Sequence, residues 1–244
     1  MKRILYSILA VVWVLACNDA PTLEAYYYPV DDLMEGMVYE YHSPLQDGVQ
    51  HPPYYWYYRK VVGEDGTEAL VGVFYNHELE IEQMVRERVG SNGVKTEDVR
   101  LYEYDEQGTR YDIQAEIKEG TAFLFEADES KVLPYILTWR SKTDPDASTI
   151  LTRGRAFRGF TKCDFKEKKY DCAVFEIGDK IEADHDTEGG QVLEWTATEH
   201  YAKGIGLVYS KKTIPQVGEI EYELVARYPM TELEKKFKKI LEKE

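Results

Sequence analysis

Histidines paired with carboxylates are the residues through which this chain could do chemistry, and their spacing limits what that chemistry is. His77-Glu78 opens as a zinc-protease helix does, with a histidine and the glutamate that serves as general base. Ile81 stands where the second histidine belongs, so the metal has no site there. Asp144-Pro145-Asp146 begins like a calcium loop but lacks the glycine, and Arg155 occupies the place of the closing bidentate glutamate. Asp184-His185-Asp186 could ligate a metal through carboxylate oxygens and an imidazole nitrogen. The same residue types crowd ordinary exposed turns, which is the preferred reading. Glu199-His200 could form an acid–base pair, yet neighbours in a strand point to opposite faces. Gly-x-Ser-x-Gly, the phosphate loop and Cys-x-x-Cys do not occur. A chain with 45 acids always offers carboxylate pairs of the kind glycosidases use, so their number decides nothing. The expectation is a protein without catalytic residues, metal or cofactor.

Three cysteines remain. Cys163 and Cys172 flank the run Asp164-Phe-Lys-Glu-Lys-Lys-Tyr-Asp171, which reads as two strands around a charged turn near Glu167-Lys168. A loop centred there sets Cys163 opposite Cys172 and Phe165 opposite Tyr170, within disulfide reach. A disulfide is favoured over two unlinked thiols, and chain entropy assigns it about 2.5–3 kcal/mol.

The third cysteine closes the N-terminal segment. Lys2 and Arg3 precede the apolar run Ile4 to Leu15, the layout of a secretory signal. Val14-Leu15-Ala16-Cys17 resembles the lipobox of bacterial lipoproteins, in which the cysteine thiol is acylated and becomes the new N-terminus; Leu15 is bulkier than the residue usual there. The resemblance implies a lipoprotein signal over 1–17, cleaved ahead of a lipidated Cys17; the residues that follow read as a short polar tether over 18–25 and a single domain over 26–244. Losing Lys2 and Arg3 takes the formal charge from −15 to −17. Phosphate backbones repel so acidic a chain, which excludes nucleic acid as a partner. Membrane attachment then falls to the acyl chains. Asp19 is a single acid near Cys17, fewer than in surface-exported lipoproteins of the Bacteroidetes type, which leans toward an outer-membrane lipoprotein facing the periplasm.

These residues sit on a chain that reads as strands. Met37 to His42, Tyr54 to Val62, Leu70 to Tyr75, Leu79 to Val89, Val94 to Tyr104, Arg110 to Lys118, Thr121 to Glu126, Tyr135 to Arg140, Thr149 to Lys162, Tyr170 to Ala183, Val192 to Ala202, Ile205 to Thr213 and Glu219 to Tyr228 alternate apolar with polar residues. Gly, Asn or Asp turns separate them, the pattern of an antiparallel meander. Tyr54, Trp56 and Tyr58 share one strand face, and Tyr55 and Tyr57 share the other. Aromatic residues on both faces require that each be partly covered, or that one line a cleft. The period changes at the end. Met230, Leu233, Phe237, Ile240 and Leu241 fall on one helical face, and Thr231 with Glu234 makes a capping box. A helix over 231–243 is marginal alone and must dock.

Trp195-Thr-Ala-Thr-Glu-His-Tyr-Ala-Lys-Gly-Ile-Gly-Leu-Val-Tyr209 resembles the Tyr-Ala-x-Gly-x-Gly-Leu-Val signature of the TapB-like group of bacterial envelope lipoproteins, Bacteroidetes-type proteins of unknown function. Tyr28-Pro29 and Gly36-Met-Val-Tyr-Glu-Tyr suit the same family, though only Tyr201 to Val208 is specific. The resemblance implies an all-β fold with a single curved antiparallel sheet, a half-barrel or open barrel, and it brings no catalytic residues. Gly204 and Gly206 suit a tight bend or close backbone approach. Together these features point to a lipid-anchored, non-enzymatic envelope protein, a binding or scaffolding module whose ligand face carries Tyr54, Trp56 and Tyr58. A carrier of lipid or another apolar ligand and a carboxylate-based carbohydrate-active enzyme are the alternatives.

Overall fold

The computed structural model describes residues 22–45, 50–187 and 189–241; the signal-like segment, Cys17 and the start of the tether lie outside the described residues. The strands are β1 (Met37–His42), β2 (Tyr54–Val62), β3 (Glu68–Tyr75), β4 (Ile81–Gly90), β5 (Gly93–Tyr104), β6 (Arg110–Gln114), β7 (Glu116–Leu124), β8 (Val132–Arg140), β9 (Ala147–Phe165), β10 (Lys168–His185), β11 (Gly189–Ala202), β12 (Gly206–Ile214) and β13 (Gly218–Tyr228), followed by α1 (Met230–Leu241). Aspartate side chains seat several turns. Asp65 accepts the Thr67 amide at 3.0 Å, and Asp105 accepts those of Gln107 and Thr109 at 3.0 and 2.8 Å.

The expected open half-barrel is corrected: the sheet closes into a twelve-stranded antiparallel barrel. Two pairings complete the ring. β1 meets β13, with Val38 opposite Tyr228, and β4 meets β5, from Gly90 opposite Gly93 to Gln83 opposite Leu101. Closure removes the two free edges that an open sheet would leave. β6 and β7 are halves of one run that bends at Ala115; β6 pairs with the second half of β5 and the end of β7 with its first residues.

A twelve-stranded ring is wider than the eight-stranded barrels that side chains alone fill, and the sequence answers with tyrosine and with a plug. Residues 22–36 cross one end as a strap with two short 3-10 turns. The Leu23 amide donates to Phe125 O at 2.7 Å, and the Gly204 amide to Ala25 O at 2.8 Å. Thr22 to Ala25, read from sequence as tether, are therefore seated on the barrel. Leu23, Tyr27, Tyr28 and Leu33 are buried in one core with Tyr39, Tyr41, Tyr58, Phe123, Phe175 and Tyr201. The phenol groups find partners there: Tyr28 and Tyr58 share a hydrogen bond of 2.7 Å, and Tyr39 and Tyr41 donate to the carbonyls of Ile205 and Leu207 at 3.0 and 2.9 Å. At the strap's outer edge Lys60 pairs with Asp31 at 2.6 Å and Glu68 at 2.7 Å.

The helix docks outside the barrel. Leu233 is buried against Val38, Tyr55 and Tyr228, and Phe237 packs edge-on against Tyr55. Both aromatic faces of β2 are thus covered, one by the helix and one by the barrel interior.

Cys163 and Cys172 form a disulfide with Cα atoms 6.1 Å apart, but the register differs from the sequence expectation. The turn is Lys166-Glu167, both at positive φ (+48° and +63°), which centres the hairpin one residue earlier. Cys163 therefore faces Tyr170 and Cys172 faces Thr161, and the cysteines are diagonal neighbours.

The Tyr201 to Val208 signature has a structural account. Gly204 (φ +73°) makes the bend between β11 and β12, and Gly206 (φ +100°) lets the strap approach: a Cβ there would lie 2.4 Å from the Tyr28 ring. Gly206→Ala should cost about 2–4 kcal/mol from overlap plus backbone strain, read by urea denaturation, whereas Gly178→Ala, with open space around it, should cost under about 1.5 kcal/mol.

Candidate functional site

The strap closes one end of the barrel. At the other end, inner-face side chains remain half-buried and no plug is present among the described residues. Alternation and register decide who faces in. Tyr39, Trp56 and Phe74 stand opposite one another on β1, β2 and β3. Tyr135, Arg153, Asp179 and Trp195 form a rung across β8 to β11, and Arg155, Ile177, Ala197 and Lys212 form the next across β9 to β12. Tyr54, Trp56, Trp139 and Trp195 keep part of their surface accessible around this open end. The described tryptophans all lie on the inner face. Trp56 rests on the apolar wall of Val85, Val99 and Leu137, which Trp139 and Leu151 extend.

Alongside Trp195, and continuing one rung deeper, lies an ionic layer. Arg153 Nε and Nη2 donate to both oxygens of Asp179 at 2.7 and 2.9 Å, a bidentate pair with the Asp179 side chain 1% exposed and that of Arg153 29%. One layer deeper, Arg155 donates to Glu199 at 3.0 Å, to the Tyr201 hydroxyl at 3.2 Å and to the Ala122 carbonyl. Tyr201 in turn donates to Glu199 at 3.1 Å, and the guanidinium lies over the Tyr201 and Phe175 rings. Burial raises the Tyr201 phenol well above its ordinary value, and burial lifts Tyr135 to about 12. Glu87 faces the same layer from β4. It accepts the Tyr27 hydroxyl at 2.5 Å, and burial pushes its carboxyl pKa up. Lys212 has no ion-pair partner among the described residues. Burial, then the like charge of Arg153, lowers its pKa, while Asp179 and Glu199 act on it from beyond ion-pair distance.

The sequence candidates fall as follows. Tyr54 and Trp56 line the open end, but Tyr58 is 6% exposed and bonded to Tyr28 in the core beneath the strap, so its ring is not part of an accessible face. Glu199 faces in and His200 faces out, against Tyr209. Asp144 and His185, from two candidate metal loops, meet at 3.5 Å on the rim. Among the described residues no three His, Cys, Asp or Glu side chains are placed to hold a metal. His77 sits in the β3–β4 turn beside Glu78. Arg153, Arg155, Asp179, Glu199, Lys212, Trp139 and Trp195 were missed. Their signal was parity: in Thr149 to Phe157 the odd positions run Thr, Leu, Arg, Arg, Phe, an apolar face broken by two adjacent cations.

A concavity of roughly 370 Å³ lies beside the strap, bordered by Tyr27, Pro29, Asp31, Asp32, Glu68 and Val89. It is the seat of the strap, and its carboxylates include both partners of Lys60.

No protein-family model matches the chain, so the resemblance to the TapB-like group gains no support there, and no curated protein matches. Solved structures do. A Bacteroides fragilis protein described provisionally as exported, with a YmcC-like fold, gives a TM-score of 0.50 at 11% identity, over 81% of this chain and 96% of that one. A Parabacteroides distasonis protein classed provisionally as a lipoprotein gives 0.48 at 12% identity, over 81% and 94%. The hypothetical lipoprotein YmcC of Escherichia coli gives 0.30 at 12%, over 82% and 88%. The first of these shows a shared fold; the identities say nothing of activity.

Two substitutions test the ionic layer. Arg155→Leu strands Glu199 and should lower stability by roughly 3–5 kcal/mol, with part recovered in Arg155→Leu/Glu199→Leu. Glu87→Gln should behave oppositely. Because burial raises the folded-state pKa, the native carboxylate opposes folding above that pKa, and the penalty vanishes as pH falls toward the unfolded value near ~4.3. The variant should therefore gain on wild type at pH 7 and lose that gain on acidification, measured by denaturant midpoints across pH.

Proposed function

We propose that this chain is a non-catalytic binding module of the bacterial cell envelope, anchored by lipid on Cys17 and taking its ligand at the open end of the barrel. The observation that carries the binding site is the ring of half-buried inner-face aromatics, Tyr54, Trp56, Trp139 and Trp195, over a bed of paired charges. Amphipathic rings that cannot be fully covered by the protein are suited to contact a ligand of mixed character. The lipobox-like Val14 to Cys17 supports the envelope address and the outer-membrane, periplasm-facing placement, and the Bacteroides fragilis protein with this fold is itself described as exported. The strap supports the orientation. The chain enters at the plugged end, so an anchor on Cys17 sets the open end facing away from the membrane.

The alternatives fare less well against the interior. An acyl chain reaching past the rim would meet Arg153, Asp179, Arg155 and Glu199, whose charges an apolar ligand cannot solvate. A glycosidase needs two available carboxylates, and Asp179 and Glu199 are each held by a guanidinium.

Native mass spectrometry of the protein purified from envelopes is expected to show a non-covalent small-molecule adduct that Trp56→Ala loses. Ligand-free mass in wild type, with no change in tryptophan emission on adding a small-molecule envelope extract, overturns the binding reading. Cys17→Ser should move the protein from the membrane to the soluble fraction; unchanged fractionation overturns the anchor.

A further inference from the structure

We propose that the open end of the barrel takes an organic anion, its acidic group held by Lys212 beside Arg153 and its apolar body laid against Trp56 and Tyr54. The inference rests on the binding reading above and adds the chemistry of the ligand.

Among the described residues the inner face near this end carries the cations Arg153, Arg155 and Lys212. The two carboxylates closest to them are already committed, Asp179 to Arg153 in a bidentate pair and Glu199 to Arg155 and Tyr201. Glu87 faces Arg155 in the deeper layer and is bonded to Tyr27. Lys212 is left over. It is held on the inner face by its register opposite Ala197, one step from Ser210 opposite Glu199. A half-buried ammonium without a counter-charge loses hydration and gains no ion pair, so the fold bears a cost that an anion at this position would remove.

Neighbouring polar atoms tell the same story. Arg155 Nε and Trp195 Nε1, on adjacent inner rungs, are buried without a hydrogen-bond partner, and both are donors. Arg227 Nε and the Thr96 hydroxyl, which can also accept, complete the set, so among the described residues the unpartnered buried atoms are mostly donors. The acidic exterior sharpens the contrast: in a chain of formal charge −15 these cations are gathered inside a low-dielectric wall, where field lines are focused. The aromatic rim adds the second half of the specificity, since a small hydrated anion would gain nothing from Trp56 and Tyr54.

Two fluorescent probes of similar shape separate the terms. 8-Anilinonaphthalene-1-sulfonate carries the acidic group and N-phenyl-1-naphthylamine does not. With the full mature chain, the sulfonate should bind saturably, and Lys212→Gln should weaken it about tenfold while changing the neutral probe less than twofold. Lys212→Arg should retain sulfonate binding, and Lys238→Gln on the outer helix should leave it unchanged. Thermal melts of each variant establish folding; if Lys212→Gln does not fold, loss of sulfonate affinity in 0.5 M NaCl without loss of the neutral probe carries the test. 1-Naphthoate should displace the sulfonate where inorganic phosphate at the same concentration does not. Equal weakening of both probes by Lys212→Gln, no weakening of either, or equal displacement by phosphate overturns the inference. Failure of both probes to bind wild type counts instead against the binding reading.

Discussion

The diameter of the closed ring is the constraint from which the rest of the structure follows. Twelve strands enclose more space than aliphatic side chains can fill, and an empty lumen would forfeit the dispersion contacts on which a core depends. The chain fills one end with rings and a strap, and the middle with paired charges. Tyrosine suits the task because it is large and because its hydroxyl can reach a carbonyl or a second tyrosine inside the barrel. The abundance of tyrosine is in the first place a consequence of girth.

The ionic layer is a second answer to the same problem. Arginine is long enough to reach inward from β9, and its planar fork satisfies two carboxylate oxygens or a carboxylate, a hydroxyl and a carbonyl together. Such pairs contribute less to stability than hydrophobic packing of the same volume would, but they fix partners across strands and so oppose register slips. The interior becomes graded, from aromatic under the strap through ionic to aromatic and half-open. That gradation leaves the two ends of the barrel unlike, one sealed by the strap and the other rimmed by half-buried aromatics.

Local physics was legible in the sequence to the extent that it is local. Strands and turns showed in alternation and in Asp and Gly positions, the docking helix in its change of period, and the two aromatic faces of Tyr54 to Tyr58 in simple parity. The cysteine pairing was legible, its register not, because two non-glycine residues in left-handed conformation at Lys166-Glu167 leave no compositional mark. Closure was not legible either. Whether β4 meets β5 along its whole length, and whether β1 finds β13, depends on curvature summed over the sheet, and the half-barrel or open barrel implied by the TapB-like resemblance pointed the wrong way. The inward arginines were visible only as a break in one face of β9, and nothing in that break names Asp179 or Glu199 as partners.

The pairing of the first strand with the last has a consequence for the order of events. Val38 waits for Tyr228, and the strap waits for Phe125 and Gly204, so the contacts of the leading segment are among the most distant in the chain and among the slowest to form. Emerging N-terminus first, the chain has nowhere to dock its beginning until most of its length has been delivered. Throughout that interval the strap residues, Leu23 to Leu33, stay exposed, and only the arrival of the final hairpins shuts them in.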